Sequence, residues 1–141
     1  MKILVTGAGG QLGRAMVRVL GESHRVIGYD RRGWDVTDER RTREILLLEK
    51  PDAVIHCAAW TDVDGCETDP LKAYRINAQA SRQLAAACGR MEIRMVYVST
   101  DYVFDGTRQE GYVETDPADP INVYGRSKWL GEGWVRTLCP F

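Results

Sequence analysis

The sequence predicts an α/β fold, a doubly wound parallel sheet, and three observations carry that prediction. A short apolar run at residues 2–5 leads straight into a glycine-rich turn; an amphipathic helical pattern follows the turn; and strand-like and helix-like segments then alternate along the chain. A continuous apolar run without alternation is the form of a central parallel strand buried on both faces.

The elements follow in order. Residues 11–20 place Leu12, Ala15, Met16, Val19 and Leu20 at helical spacing, with Gly21 as a stop. Residues 25–29 are strand-like, and residues 38–50 carry a helical stripe through Ile45 and Leu48 that Pro51 closes. The apolar run at 53–57 is the third strand. A polar stretch, 61–70, separates it from an alanine-rich helix at 71–88, which Gly89 is placed to cap. Residues 94–99 form the fourth strand, and 105–121, with Gly106, Gly111, Pro117 and Pro120, form a long loop. The last element is a helix at 124–138, despite Gly131 and Gly133. No internal repeat is present, and one domain, residues 1–141, is expected.

Composition narrows the function classes. A chain that is 44% hydrophobic and 28% charged is built to fold around a core. A net charge of −1 gives no global attraction to nucleic acid or to an anionic membrane. The first residues have neither the plan of a signal peptide nor a membrane span, so a cytoplasmic location is the default. Cys57, Cys66, Cys88 and Cys139 form no CxxC pair, and His24 and His56 lack ligand neighbours at zinc spacing. Reduced thiols, packed histidines and no metal site are expected.

The turn itself reads TGAGGQLG from Thr6, with Gly7, Gly10 and Gly13 at GxxGxxG spacing between strand and helix. Gly7 permits the tight turn, Gly10 clears the backbone for a pyrophosphate, and Gly13 lets the helix pack on the sheet. The helix N-terminus supplies donors and partial positive charge for the anion. This is a dinucleotide-binding turn of Rossmann type. Asp30 ends the second strand, where a carboxylate meets an adenosine ribose and favours NAD. Arg31 and Arg32 come next, and a guanidinium there suits the 2′-phosphate of NADP. The two signals pull in opposite directions, and a turn aspartate with solvated arginines is the plainer reading of each residue alone.

Tyr124 and Lys128 stand four apart on the last helix and share a face. A phenol with a pKa of about 10 works poorly near neutrality, and a neighbouring ammonium draws it toward working pH. That is general acid/base tuning, although the same spacing arises by chance in many helices. Ser99 and Thr100 end the fourth strand at the same sheet edge, where a hydroxyl can polarise a carbonyl or simply start a turn.

Four segments now carry a resemblance: TGAGGQLG from Thr6, HCAAWTDVDGCE from His56, STDYVFDG from Ser99 and VYGRSKWLGE from Val123. In order and spacing the chain resembles the extended short-chain dehydrogenase/reductase family, and within it the reductases of dTDP-linked 6-deoxy-4-keto sugars. The resemblance implies that Thr100, Tyr124 and Lys128 are catalytic and that Asn77 supports a proton relay. It implies that Gly7, Gly10, Gln11, Leu12 and Gly13 hold the pyrophosphate, Asp30 and Arg31 the adenosine ribose, and Asp35 and Val36 the adenine. Ala58, Ala59, Thr61 and Ser99 would lie on the nicotinamide side with Tyr124 and Lys128. The implied reaction is hydride transfer from NADPH, or from NADH, to C4 of the dTDP-linked keto sugar, the step that yields dTDP-L-rhamnose.

Departures refine the resemblance. Dehydratases of the group carry an acidic pair after the threonine, and here Asp101 is followed by Tyr102, which favours plain ketone reduction. Epimerases carry a run of serines at this point and lack VFDG. Relatives that dimerise through magnesium use a glutamate where this chain has Ala15, so that dimer is not expected and the oligomeric state stays open. The family continues into a C-terminal region that binds the nucleotide sugar, so the sheet is expected to be incomplete. A non-catalytic NADP-binding partner, resembling the regulatory subunit of methionine adenosyltransferase, is the competing reading.

Overall fold

The computed structural model describes residues 1–140. Strands β1 (Lys2–Thr6), β2 (Arg25–Tyr29), β3 (Ala53–His56) and β4 (Arg94–Tyr97) form one parallel sheet in the order β2-β1-β3-β4. The chain steps from β1 to β2 on one side, then crosses to β3 on the other. The strand order therefore reverses beside β1, which opens a crevice at the carboxyl ends of β1 and β3. The expected α/β sheet is present.

Helices α1 (Gln11–Leu20), α2 (Glu39–Glu49), α3 (Val63–Thr68), α4 (Pro70–Ala73), α5 (Ala80–Arg90) and α6 (Val123–Leu138) complete the fold. A π-helical turn, Tyr74–Gln79, joins α4 to α5, and a 3₁₀ turn, Asp101–Val103, follows β4. α1 packs on β1 and β2, while α5 packs against both α2 and α6. Leu4, Ile45, Leu46, Val54 and Leu84 are fully buried between them. Side chains of this size contribute about 1.5–3 kcal/mol each when removed from water. Trp34 joins this core and keeps its indole N–H satisfied by donating to Thr42 Oγ1 at 2.9 Å.

The polar stretch after β3 holds a short helix: Asp62 caps α3 by accepting from Gly65 N at 3.0 Å, and Cys66 is buried beneath it. Two local expectations are corrected. Gly89 lies inside α5 rather than capping it; a Cβ there would stand 1.9 Å from Leu138 O, so the glycine lets α6 approach. The helix expected at 71–88 is interrupted by the π-helical turn, whose wider bonding buries Asn77 and Ala78. No helix among the described residues is long and apolar enough to cross a membrane.

Candidate active site

The glycine turn is built as its spacing requires. Gly7 has φ +67°, and a Cβ on it would lie 2.8 Å from Ala58 N, so the turn touches the end of β3 backbone to backbone. A Cβ on Gly13 would stand 2.2 Å from Gly7 O. Only glycine lets α1 begin here. Its N-cap is Gly10, and no side chain caps it. The first-turn amides of α1 therefore have no intrahelical acceptor, and no acidic side chain in that turn competes with a bound anion. Residues present at this turn fit a pyrophosphate.

Beside the turn lies a cleft of about 880 Å³. Of the residues singled out in the sequence, Gly7, Gly10, Asp30, Arg31, Asp35, Val36, Ala58 and Ala59 line it. Gln11, Leu12, Gly13, Thr61, Ser99, Asn77, Thr100, Tyr124 and Lys128 lie outside its wall. Trp60, Lys72 and Arg75 line it without having been expected to. Trp60 stands between two residues that the motif did single out, and the Lys72 ammonium sits 3.8 Å over its ring. Nothing in the spacing of Lys72 and Arg75 announces that α4 and the π-helical turn bring them to the cleft.

Asp30 is partly engaged: its Oδ1 accepts from Arg32 N at 3.0 Å and Gly33 N at 2.9 Å, holding its own turn. Asp35 Oδ1 accepts from Thr37 N at 2.9 Å and Thr37 Oγ1 at 2.8 Å. Burial raises the Asp35 pKa, but the Thr37 bonds and the charges of Arg31 and Arg75 outweigh it and hold the carboxyl below its ordinary value. Arg31 is exposed and lines the cleft, its Nε ion-paired with Asp35 Oδ2 at 3.7 Å.

At the other end of the site, Tyr124 and Lys128 share the buried face of α6. Asn122 starts that helix by accepting from Gly125 N at 2.7 Å. Tyr124 packs with Cys66, Ala73 and the cleft residue Trp60. The Lys128 Nζ donates to Val98 O at 2.5 Å and lies 4.1 Å from the Tyr97 ring centroid. Burial lowers its pKa to about 8, against the charge of Glu132, which raises it. Cys57 lines the cleft; burial raises its thiol pKa, and the Lys128 charge opposes that.

The tuning differs from the sequence expectation. Burial raises the Tyr124 pKa and the Thr100 side chain opposes it by hydrogen bonding, while Lys128 turns its ammonium to Val98. Thr100 Oγ1 donates to Asp101 Oδ1 at 3.1 Å and accepts from Tyr102 N at 3.3 Å, so it also caps the 3₁₀ turn. The Ser99 hydroxyl donates to Glu132 on α6. Asn77 is a clamp: its Oδ1 accepts from Trp60 N at 2.8 Å, and its Nδ2 donates to Trp60 O and Ser127 Oγ, each at 3.0 Å. The cleft and the Tyr124 face are thus two neighbouring groups of residues, joined by Trp60, which lines the one and packs against the other.

Residues 1–140 match the family described as the RmlD substrate binding domain. A dTDP-4-dehydrorhamnose reductase of Burkholderia thailandensis is 46% identical over 94% of this chain and 44% of that protein. A dTDP-4-keto-6-deoxy-D-glucose reductase of Streptomyces niveus is 42% identical over 97% of this chain and 48% of that protein. The crystal structure of a Bacillus anthracis dTDP-4-dehydrorhamnose reductase in complex with NADP superposes with a TM-score of 0.95 at 40% identity, covering 98% of this chain and 50% of that one. The chain spans about half the length of the curated relatives it matches.

Proposed function

Because the chain belongs to the RmlD substrate binding domain family, we propose that it serves in the NADPH-dependent reduction of the C4 ketone of a dTDP-linked 6-deoxy-4-keto sugar. The observation that carries this reading is Trp60, which lines the cleft beside the uncapped, glycine-built helix N-terminus and packs against the cluster that holds the buried Tyr124 of the Tyr124–Lys128 face. The similarity to reductases acting on dTDP-linked sugars, and to one holding NADP, supplies the substrate and cofactor class.

When bound, the nicotinamide cofactor supplies the hydride. The backbone amides of Gln11, Leu12 and Gly13 would hold the pyrophosphate, with Ala58 and Ala59 along the cleft. Tyr124 gives its proton to the carbonyl oxygen as it becomes an alkoxide; burial keeps the phenol protonated near neutrality, the state a reduction requires. The Thr100 hydroxyl polarises the same oxygen. Lys128 supplies positive charge beneath the site, and Asn77 keeps Trp60 and α6 in register. Arg31 and Arg32 line the cleft and would hold the 2′-phosphate, and the engagement of Asp30 Oδ1 in its own turn weakens the case for NADH. A cytoplasmic location agrees with Cys57, Cys66 and Cys88 being reduced thiols.

The test is to mix the full-length protein with dTDP-4-dehydrorhamnose and NADPH, following nicotinamide absorbance and identifying the sugar product. Loss of reduced cofactor coupled to a C4 alcohol is expected. Cofactor binding without consumption would defeat the reading.

A further inference from the structure

The carboxyl ends of the strands carry a row of side chains that cofactor binding leaves unexplained. Tyr29, Thr6, His56 and Tyr97 are register partners across β2, β1, β3 and β4. Thr6 and His56 are buried. An imidazole taken out of water needs partners for both nitrogens, and His56 has them. Its Nδ1 lies 2.7 Å from Thr6 Oγ1, and its Nε2 lies 3.2 Å from Ser81 Oγ on α5.

The direction of each hydrogen bond follows from the ends inward. Ser81 Oγ is 2.7 Å from the Asn77 carbonyl oxygen, which can only accept, so the Ser81 proton is committed there. Ser81 must then accept from His56, which places the ring proton on Nε2. In a neutral ring Nδ1 is then an acceptor and takes the Thr6 hydroxyl proton. The Thr6 oxygen in turn accepts from Ala58 N–H at 3.2 Å. All four protons therefore run one way, from an amide in the wall of the cofactor cleft to the carbonyl of the π-helical turn.

The surroundings keep the ring neutral. Thr6 from β1 and Ser81 from α5 are uncharged, the Tyr97 ring from β4 lies 5.8 Å away, and the Lys128 ammonium approaches from α6. Burial first, and the Lys128 charge second, lower the His56 pKa to about 3. Beyond Asn77 the network continues: Asn77 Nδ2 donates to Ser127 Oγ, and Ser127 donates to Tyr124 O at 2.7 Å.

We propose that His56 is a positioning residue: as the neutral Nε2–H tautomer it fixes the Asn77 turn, and through Asn77, Trp60 and Ser127 it seats the Tyr124 helix against the cofactor cleft. The proposal rests on the reading of Tyr124 as the proton donor.

The proton order is tested in the full-length protein by long-range ¹⁵N–¹H spectra of its imidazoles between about pH 5 and 8. His56 is expected to give the pattern of a neutral ring protonated at Nε2 throughout. A ring protonated at Nδ1, or an imidazolium in that range, would overturn the proposal. The positioning role is tested in the full-length protein with Ser81→Ala, His56→Leu and His56→Gln, the last keeping an amide donor toward Ser81. Turnover number is expected to fall roughly tenfold in the first two, with NADPH affinity within about twofold of wild type and partial recovery in His56→Gln. Variants that lose thermal stability but keep wild-type turnover would reduce His56 to packing and defeat the proposal. Wild-type protein without turnover counts against the reading of Tyr124, whereas active wild type with unchanged variants counts against His56 alone.

Discussion

Replacing Lys128 by methionine isolates what it costs to hold a charge at this site. Lys128 is 3% exposed, and burial lowers its pKa from 10.5 to about 8. A displacement of that size disfavours the charged form by about 3 kcal/mol. Against it stands the bond to Val98 O, whose carbonyl would lose its charged donor at a cost of about 2 kcal/mol. The charge penalty is the larger, so Lys128→Met is expected to be about 1 kcal/mol more stable than wild type near neutrality while losing turnover. The pH dependence gives a second signature. The folded-state pKa lies below the unfolded one, so the unfolded chain binds more protons between them and wild-type stability rises across that window. The penalty is complete below about 8 and is relieved as pH approaches 10.5, so the gap between variant and wild type should narrow over that range. Urea unfolding followed by tryptophan fluorescence at several pH values measures both effects. A variant less stable by about 2 kcal/mol, or a gap that does not change with pH, would refute the reasoning.

Gly13→Ala places a Cβ 2.2 Å from Gly7 O, so α1 must shift from β1. A loss of about 1–3 kcal/mol in thermal unfolding and a collapse of NADPH affinity are expected. Asn77→Ala strips the partners from Trp60 N, Trp60 O and Ser127 Oγ at once. Denaturant unfolding should show a loss of at least about 2 kcal/mol. Arg31→Ala removes an exposed side chain that the fold does not need. Its melting curve should match wild type, while NADPH binding weakens about tenfold and NADH binding does not; equal effects on both cofactors would remove Arg31 from 2′-phosphate recognition.

What the sequence made legible follows period and local chemistry. The strands announced themselves because a parallel strand buried on both faces is an unbroken apolar run, as Leu4 and Val5 are. Gly7 and Gly13 were legible because only a hydrogen atom fits between α1 and the carboxyl ends of β1 and β3. Long-range contact explains what was not. Gly89 carries no local sign that Leu138 presses on it from α6, so a cap and a close approach look alike in the sequence. The π-helical turn is equally silent: alanine-rich helix propensity says nothing of Asn77 turning inward to clamp Trp60 seventeen residues away. Lys128 was expected to lower the Tyr124 pKa because helical spacing puts them on one face. Spacing does not fix where a long side chain ends, and its ammonium reaches Val98 O instead. His56 looked like a packed histidine, which it is; its two directed hydrogen bonds become visible only when Thr6 and Ser81 are brought to it.

The proposed division of labour between a cofactor cleft and a proton-donating tyrosine is met most directly by Tyr124→Phe in the full-length protein, with NADPH affinity and keto-sugar reduction measured on the same preparation. The phenyl ring preserves the packing against Cys66, Ala73 and Trp60 and removes only the hydroxyl. NADPH affinity is expected to stay within about twofold, while turnover falls by about 10²–10⁴. Undiminished reduction by Tyr124→Phe would contradict the assignment of the proton donor.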